Sequence, residues 1–297
     1  MSAARGSGRA LARAALAGNP SDLYGGAVLA VTRPEWSAQA TVEDGDAAIS
    51  PDNPLVAATV RRFARAHEPA ALGVRVDWST SIPQRVGLGS SSALVIAVTR
   101  ALCERFATAL SAEQLAEFAL AVEAEELGIV AGLQDRVAQA FEGLTYMDFG
   151  GERSYESLDP GLLPPLVVAW RADAAGHSGN LHQALRARLA RGEPGLVETV
   201  AELAQTAHGA RAALLAGDAP GFAACVDRSV DLRGRMVGLD PLCVEMVQAA
   251  RSCGAAANYT GSGGAIVAVC DGRGQVESVV SALQAVGASV APPKSVG

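Results

Sequence analysis

The stretch Pro83-Gln84-Arg85-Val86-Gly87-Leu88-Gly89-Ser90-Ser91-Ser92-Ala93-Leu94 holds the residue types of an anion site at workable spacing. Gly87 and Gly89 let the backbone turn sharply and approach a ligand closely. Ser90, Ser91 and Ser92 fall where the first N–H groups of a following helix have no partner within the helix. Those donors and the positive end of the helix dipole attract an anion. A serine hydroxyl there also suits Mg²⁺. From the residues alone the stretch is either a loop for nucleotide phosphates, which implies a kinase, or a structural strand-to-helix turn whose small residues allow close packing. It is no dinucleotide fingerprint, because Ser92 stands where the third glycine would be.

Three further constellations accompany it. Asn258-Tyr259-Thr260-Gly261-Ser262-Gly263-Gly264 precedes an apolar run and is either a ligand loop or a tight hairpin. Ala17-Gly18-Asn19-Pro20-Ser21-Asp22-Leu23-Tyr24-Gly25-Gly26 is a turn that presents Asp22 to a ligand or uses it as a local cap. In the run from Glu123 to Arg136, three acids close one helix and Asp135 opens the next among Ile129, Val130, Leu133 and Val137. Asp135 is then either a first-turn acid offsetting the helix dipole or a base kept for chemistry. The acids at 123, 125 and 126 alone would ordinarily be a solvated face.

The elements that must position these residues follow from periodicity. Val74, Val76 and Trp78 alternate in a strand that runs from Gly73 to Ser79, and helical spacing covers residues 91–107. Ser111 caps a second helix that runs to Glu126, and a third starts near Leu133 and stops at Gly143. Leu144 to Phe149 alternates as a strand. Gly150-Gly151 opens an irregular stretch through Pro160, Pro164 and Pro165, which marks the boundary between halves. Beyond it come a strand at Leu166 to Trp170, helical patterns over 181–191, 195–216, 220–237 and 241–252, a strand at Ala265 to Cys270 and a helix over 275–286. Helices and strands mix without strict alternation, so the reading is α+β in two domains, 1–155 and 156–297. Propensity alone makes Ala10 to Ala17 helical.

Composition removes several rivals. The only lysine is Lys294, so a Walker A loop, a protein-kinase site and a pyridoxal Schiff base are all excluded, and arginine must supply any cation. The net charge of −7 and the absence of a basic tract exclude nucleic acid as a partner. Five cysteines without a C-x-x-C pair fit reduced thiols in the cytoplasm, and no secretory or membrane-spanning run is expected. No Gly-x-Ser-x-Gly elbow exists for a serine hydrolase. His67, His177, His182 and His208 fit no metal or triad spacing. Oligomeric state stays open between monomer and homodimer.

Taken together, the constellations match one family in order and spacing. Arg13 to Tyr24, Pro83 to Ala93 and Thr260 to Ala265 resemble the three motifs of the GHMP kinases, the superfamily of galactokinase, homoserine kinase, mevalonate kinase and phosphomevalonate kinase. Gly18 to Asp22, Glu126 to Gln139, Tyr146 to Phe149 and Thr260 to Ala265 further resemble the glucuronokinases of plants. The resemblance implies a two-domain GHMP kinase fold, with an N-terminal half like ribosomal protein S5 domain 2 and a ferredoxin-like C-terminal half. It also makes Ala10 to Ala17 a buried strand, against propensity.

The resemblance implies an ATP- and Mg²⁺-dependent phosphotransferase that acts on the anomeric hydroxyl of a sugar acid, D-glucuronate first. Another GHMP sugar or mevalonate-type kinase and a silent nucleotide-binding sensor remain as alternatives. By the same resemblance Pro83, Gly87, Leu88, Gly89, Ser90, Ser91, Ser92, Gly261, Ser262 and Gly263 would bind ATP. Ser91 would ligate Mg²⁺ with Glu123, or with Glu126 on the same helix face; Ala124 occupies the spacing of mevalonate-type enzymes. Asp135 would be the base and Arg13 the cation beside it. Asn19, Ser21, Asp22, Tyr24 and Gln134 would contact the sugar. Arg233 and Arg235 are either forked donors for its carboxylate or solvent-facing helix residues.

Overall fold

The structure, a computed structural model, describes residues 5–45, 53–174, 185, 187–261 and 263–291. The chain divides into two compact units that interleave in sequence: Met1–Arg13, Thr32–Pro83 and Gly89–Glu142 form the first, and Ala14–Val31, Gln84–Leu88 and Gly143–Gly297 the second. Strands β1 (Gly6–Ala17) and β2 (Ala27–Asp44), which pair with each other, each contribute residues to both.

Ala10 to Ala17 is a strand, so the helical expectation from propensity fails there and the one from resemblance holds. The last six residues of β1 are all buried. A helix rewards alanine for its cheap backbone, but that preference is a fraction of a kcal/mol per residue and gives way to burial on both faces of a sheet.

In the first unit, β2 pairs antiparallel with β3 (Val74–Thr80), from Ala38 opposite Thr80 to Asp44 opposite Val74. Helix α1 (Pro54–Ala66), which the sequence reading does not foresee, starts where the Asn53 side chain accepts from the amides of Leu55 and Val56. Helix α2 (Ser90–Arg105) follows the glycine loop. Helix α3 (Ala112–Ala121) opens on a capping box in which Ser111 and Gln114 satisfy each other's backbone amides. It then widens into a π-helical turn, Val122–Glu126, rather than running on as regular helix. Helix α4 (Gln134–Phe141) places Asp135 in its first turn.

In the second unit, Ala27–Val31 of β2 pair with β4 (Leu144–Asp148), and β4 pairs with β5 (Ser154–Leu158). Strand β5 lies in the stretch read from its glycines and prolines as irregular. A separate antiparallel sheet has the order β7-β8-β6-β9, from Ala256–Thr260, Ala265–Val269, Leu166–Trp170 and Ser289–Val290. Helices α5 (Pro194–Ala216), α6 (Ala219–Met236), α7 (Pro241–Ser252) and α8 (Arg273–Ala285) complete it. The side chain of Asp218 caps α6 by accepting from the amide of Gly221. Val167, Ala169, Val230, Met246, Ile266 and Val279 meet in its core. Of the helix expected over 181–191, Leu185 and residues 187–190 are helical, while residues 181–184 and 186 lie outside the described residues, as do His177 and His182.

All five cysteines are free thiols. Burial pushes Cys103 and Cys270 up to about 11, so they stay protonated and inert at neutral pH. No described helix is long and apolar enough to cross a membrane.

Candidate active site

The first unit gathers the loop serines, two carboxylates and two arginines. Gly89 has φ 73° and ψ 35°, the left-handed region, and no side chain caps the helix that follows. A Cβ on Gly89 would lie 2.8 Å from Nε2 of Gln139, a side chain of α4. That amide donates to the carbonyls of Leu11 and Gly89, both at 2.8 Å, and its Oε1 accepts from the Ser92 hydroxyl at 2.6 Å. Ser92 is therefore buried and committed to holding the turn. Ser91 is exposed, and its hydroxyl donates to Oε1 of Glu123 at 2.8 Å. Ser90 is half-buried at the start of α2, and Pro83 is half-buried ahead of the loop.

Arg13, 2% exposed at its side chain, projects from β1 and donates through Nε to Asp135 Oδ1 at 2.8 Å, with Nη2 at 2.5 Å. A guanidinium so buried needs a partner, and Asp135 supplies it. Asp135 itself remains partly open, with a side-chain exposure of 21%. Glu123 is fully buried in the π turn, and Arg136 binds its Oε2 through Nε at 2.8 Å and through Nη2. Nη1 of Arg136 donates to the carbonyl of Gly132 at 2.8 Å and stands 3.8 Å from Oδ2 of Asp135. Gln134 is buried next to Asp135 in the chain. Glu126 is placed elsewhere: its carboxylate pairs with Arg62 at 3.2 Å and with Arg65, not with Ser91. Sequence reading missed Arg136 and Gln139. Only their position one turn apart on the helix that carries Asp135 could have drawn attention to them.

The second unit gathers the remaining loop residues. Thr260, at the end of β7, donates its hydroxyl to the carbonyl of Gly87. Thr260 and Ala265 pair in register, so the glycine run is a hairpin turn between β7 and β8. Gly264, at φ 93°, approaches the other loop so closely that a Cβ would lie 2.8 Å from Cα of Val86. Gly263 is buried, Leu88 is buried, and Ser262 lies outside the described residues. Arg233 is buried; it donates through Nη1 to the carbonyl of Gly261 at 2.7 Å and covers the Tyr259 ring at 5.1 Å. Arg235 is exposed on the opposite side of α6. Arg235 thus matches the solvent-facing alternative, and Arg233 does not.

The turn after β1 is held by amides. Asn19 donates to the carbonyl of Tyr259 at 3.1 Å and accepts from Asn258 at 3.0 Å, and Asn258 also donates to the carbonyl of Leu16 at 3.0 Å. Ser21 bonds the carbonyl of Ala27 at 2.9 Å, and Asp22 is buried in the single helical turn Ser21–Tyr24. Tyr24 is half-buried against Leu185, Leu196 and their neighbours.

Two family models match the chain, "GHMP kinases N terminal domain" over residues 54–143 and "GHMP kinases C terminal" over residues 210–289. The chain is 33% identical to "Probable glucuronokinase 2" of Arabidopsis thaliana, with 97% of this chain and 91% of that one covered. The chain belongs to the GHMP kinase family. "Glucuronokinase 1" of the same plant is 29% identical over 96% of this chain and 91% of its own length. The structure of Lactococcus lactis galactokinase complexed with galactose superposes with a TM-score of 0.81 at 18% identity, covering 98% of this chain and 93% of that one, which shows the shared fold. In this GHMP kinase the N-terminal match contains the serine loop, Glu123 and Asp135, and the C-terminal match contains Arg233 and the second glycine turn. Arg13 and the turn from Asn19 to Tyr24 lie outside both matches.

Proposed function

We propose that this GHMP kinase transfers the γ-phosphoryl group of ATP to the anomeric hydroxyl of a sugar acid, D-glucuronate first. The observation that carries the chemistry is the Arg13–Asp135 pair, which leaves a partly open carboxylate beside a buried cation. Near-full-length likeness to two glucuronokinases supports the acceptor.

On this reading Asp135 takes the proton of the attacking hydroxyl. Arg13 occupies Oδ1, so Oδ2, which has Nη1 of Arg136 3.8 Å away, is the oxygen that would receive it. A positioned base contributes about 10²–10⁴-fold, and placement and charge neutralisation supply most of the rest. Arg13 then meets charge that develops on the phosphoryl group. The first-turn amides of α2, with Ser90 and Ser91, receive the phosphates. Gly261 and Gly263 remain candidates for the nucleotide, and Arg233, bonded to the carbonyl of Gly261, remains the candidate for a sugar carboxylate. Asn19, Ser21, Asp22, Tyr24 and Gln134 remain candidates for the sugar. Free thiols throughout support a reducing, cytoplasmic setting.

The donor set also fits Mg²⁺. The Ser91 hydroxyl and Oε1 of Glu123 are hard oxygens 2.8 Å apart. Among the described residues no group of three or more His, Cys, Asp or Glu is arranged for a metal. Mg²⁺ suits such a sparse set, because it keeps several waters and binds one or two carboxylates together with substrate phosphates. Bound there, it would neutralise charge on the phosphates of ATP.

ADP release with Mg-ATP against glucuronate, galacturonate, galactose, glucose and mevalonate tests the reading. Turnover led by glucuronate is expected. Turnover on a neutral sugar alone removes the carboxylate argument, and tight ATP binding without turnover on any acceptor would favour a silent nucleotide-binding module.

A further inference from the structure

Arg136 is buried and ion-paired beside Asp135, yet none of the roles above uses it. It is 4% exposed, and its guanidinium divides between two tasks. Nε and Nη2 close on a single oxygen of Glu123, Oε2, while Nη1 holds the carbonyl of Gly132 just ahead of α4. That arrangement orients the carboxylate so that the other oxygen, Oε1, faces Ser91 at 2.8 Å. It also ties the π turn that carries Glu123 to the start of the helix that carries Asp135. A buried carboxylate without this partner would lose both its charge balance and its orientation. A planar fork fixed at two points sets that orientation in a way a lysine could not.

We propose that Arg136 is a positioning residue for metal binding, clamping Oε2 of Glu123 so that Oε1 and the Ser91 hydroxyl form a preset pair of divalent-cation ligands. This rests on the kinase reading above, because it takes Glu123 as a ligand. Partners that orient a metal ligand typically contribute about 10–100-fold in affinity, which sets the scale of the effect.

The test is Mn²⁺ binding to the intact protein with ADP, followed by electron paramagnetic resonance of free Mn²⁺, in wild type, Arg136→Gln, Arg136→Lys, Glu123→Gln and the Arg136→Gln/Glu123→Gln double variant. Arg136→Gln should weaken Mn²⁺ by about 10–100-fold. In activity assays it should raise the Mg²⁺ requirement while leaving the KM for the sugar in place. Arg136→Lys, which keeps the charge but not the fork, should recover part of the loss and serves if the glutamine variant does not fold. In the Glu123→Gln background the same Arg136 substitution should cost nothing further, since it would act only through Glu123. Unchanged Mn²⁺ affinity in both Arg136 variants, or an equal loss with and without Glu123, overturns the proposal. Unchanged affinity in Glu123→Gln itself overturns the metal reading on which it stands, and the two failures are thereby told apart.

Discussion

Two regions carry the motifs of this kinase, and they are held together by different physics. In the first unit the residues beside the α2 N-terminus are fixed by charge: Arg13 against Asp135 and Arg136 against Glu123, with carboxylates and guanidinium groups largely withdrawn from water. In the second unit the glycine turn and the turn after β1 are fixed by neutral groups. Thr260 bonds Gly87, Asn19 and Asn258 bond each other and backbone carbonyls, and even Arg233 spends its Nη1 donor on the carbonyl of Gly261. Charge pairs of the first kind are poor sources of net stability, because desolvation offsets their attraction. They do keep a carboxylate oriented for proton transfer or metal binding. Bonds of the second kind shape backbone and leave its amides to a ligand. On the proposed function, transfer chemistry falls to the first region and ligand shaping to the second.

Substitutions can break that contrast. Asp135→Asn should lower kcat by about 10²–10⁴-fold while ADP affinity stays near wild type, as read by steady-state assay and calorimetry. A parallel loss of nucleotide binding would dissolve the division of labour. Gly89→Ala places a side chain at φ 73° and against Gln139. It should cost about 1–2 kcal/mol in urea unfolding and weaken ATP binding, because the turn beneath the serines must shift. Thr260→Val removes one hydroxyl bond to Gly87 and should cost about 1 kcal/mol, with KM for ATP rising more than kcat falls. If kcat fell as far as in Asp135→Asn, the second region would belong to the chemistry as well. Arg235→Gln, at an exposed position, should stay within about 0.5 kcal/mol of wild type and leave the KM for glucuronate within about twofold. A larger rise in KM would make Arg235 a substrate contact.

Much of the first region was legible from the chain. Glycines and serines ahead of an apolar helix, and a lone aspartate opening another, are local signals, and both helices start where those signals put them. The strands at 144–148, 166–170 and 265–269 were equally readable from their apolar patterns. What stayed hidden depends on tertiary pairing. Glu123 and Arg136 stand 13 positions apart, one in the π turn that follows α3 and the other in the first turn of α4, and their pairing is a tertiary contact. Ala10 to Ala17 carries a helical composition, and only burial against neighbouring elements makes it a strand. Strand β5 lies among glycines and prolines that mask a short edge pairing with β4. Arg233 and Arg235 are two residues apart on one helix, and nothing in the composition around them tells the buried one from the exposed one.

The most direct test of the central claim is phosphorus NMR of the product formed from glucuronate and Mg-ATP by the wild-type protein. A new sugar phosphate resonance coupled to the anomeric proton, growing in step with ADP, is expected. Phosphate attached at another hydroxyl, or ATP converted only to ADP and inorganic phosphate, would contradict it.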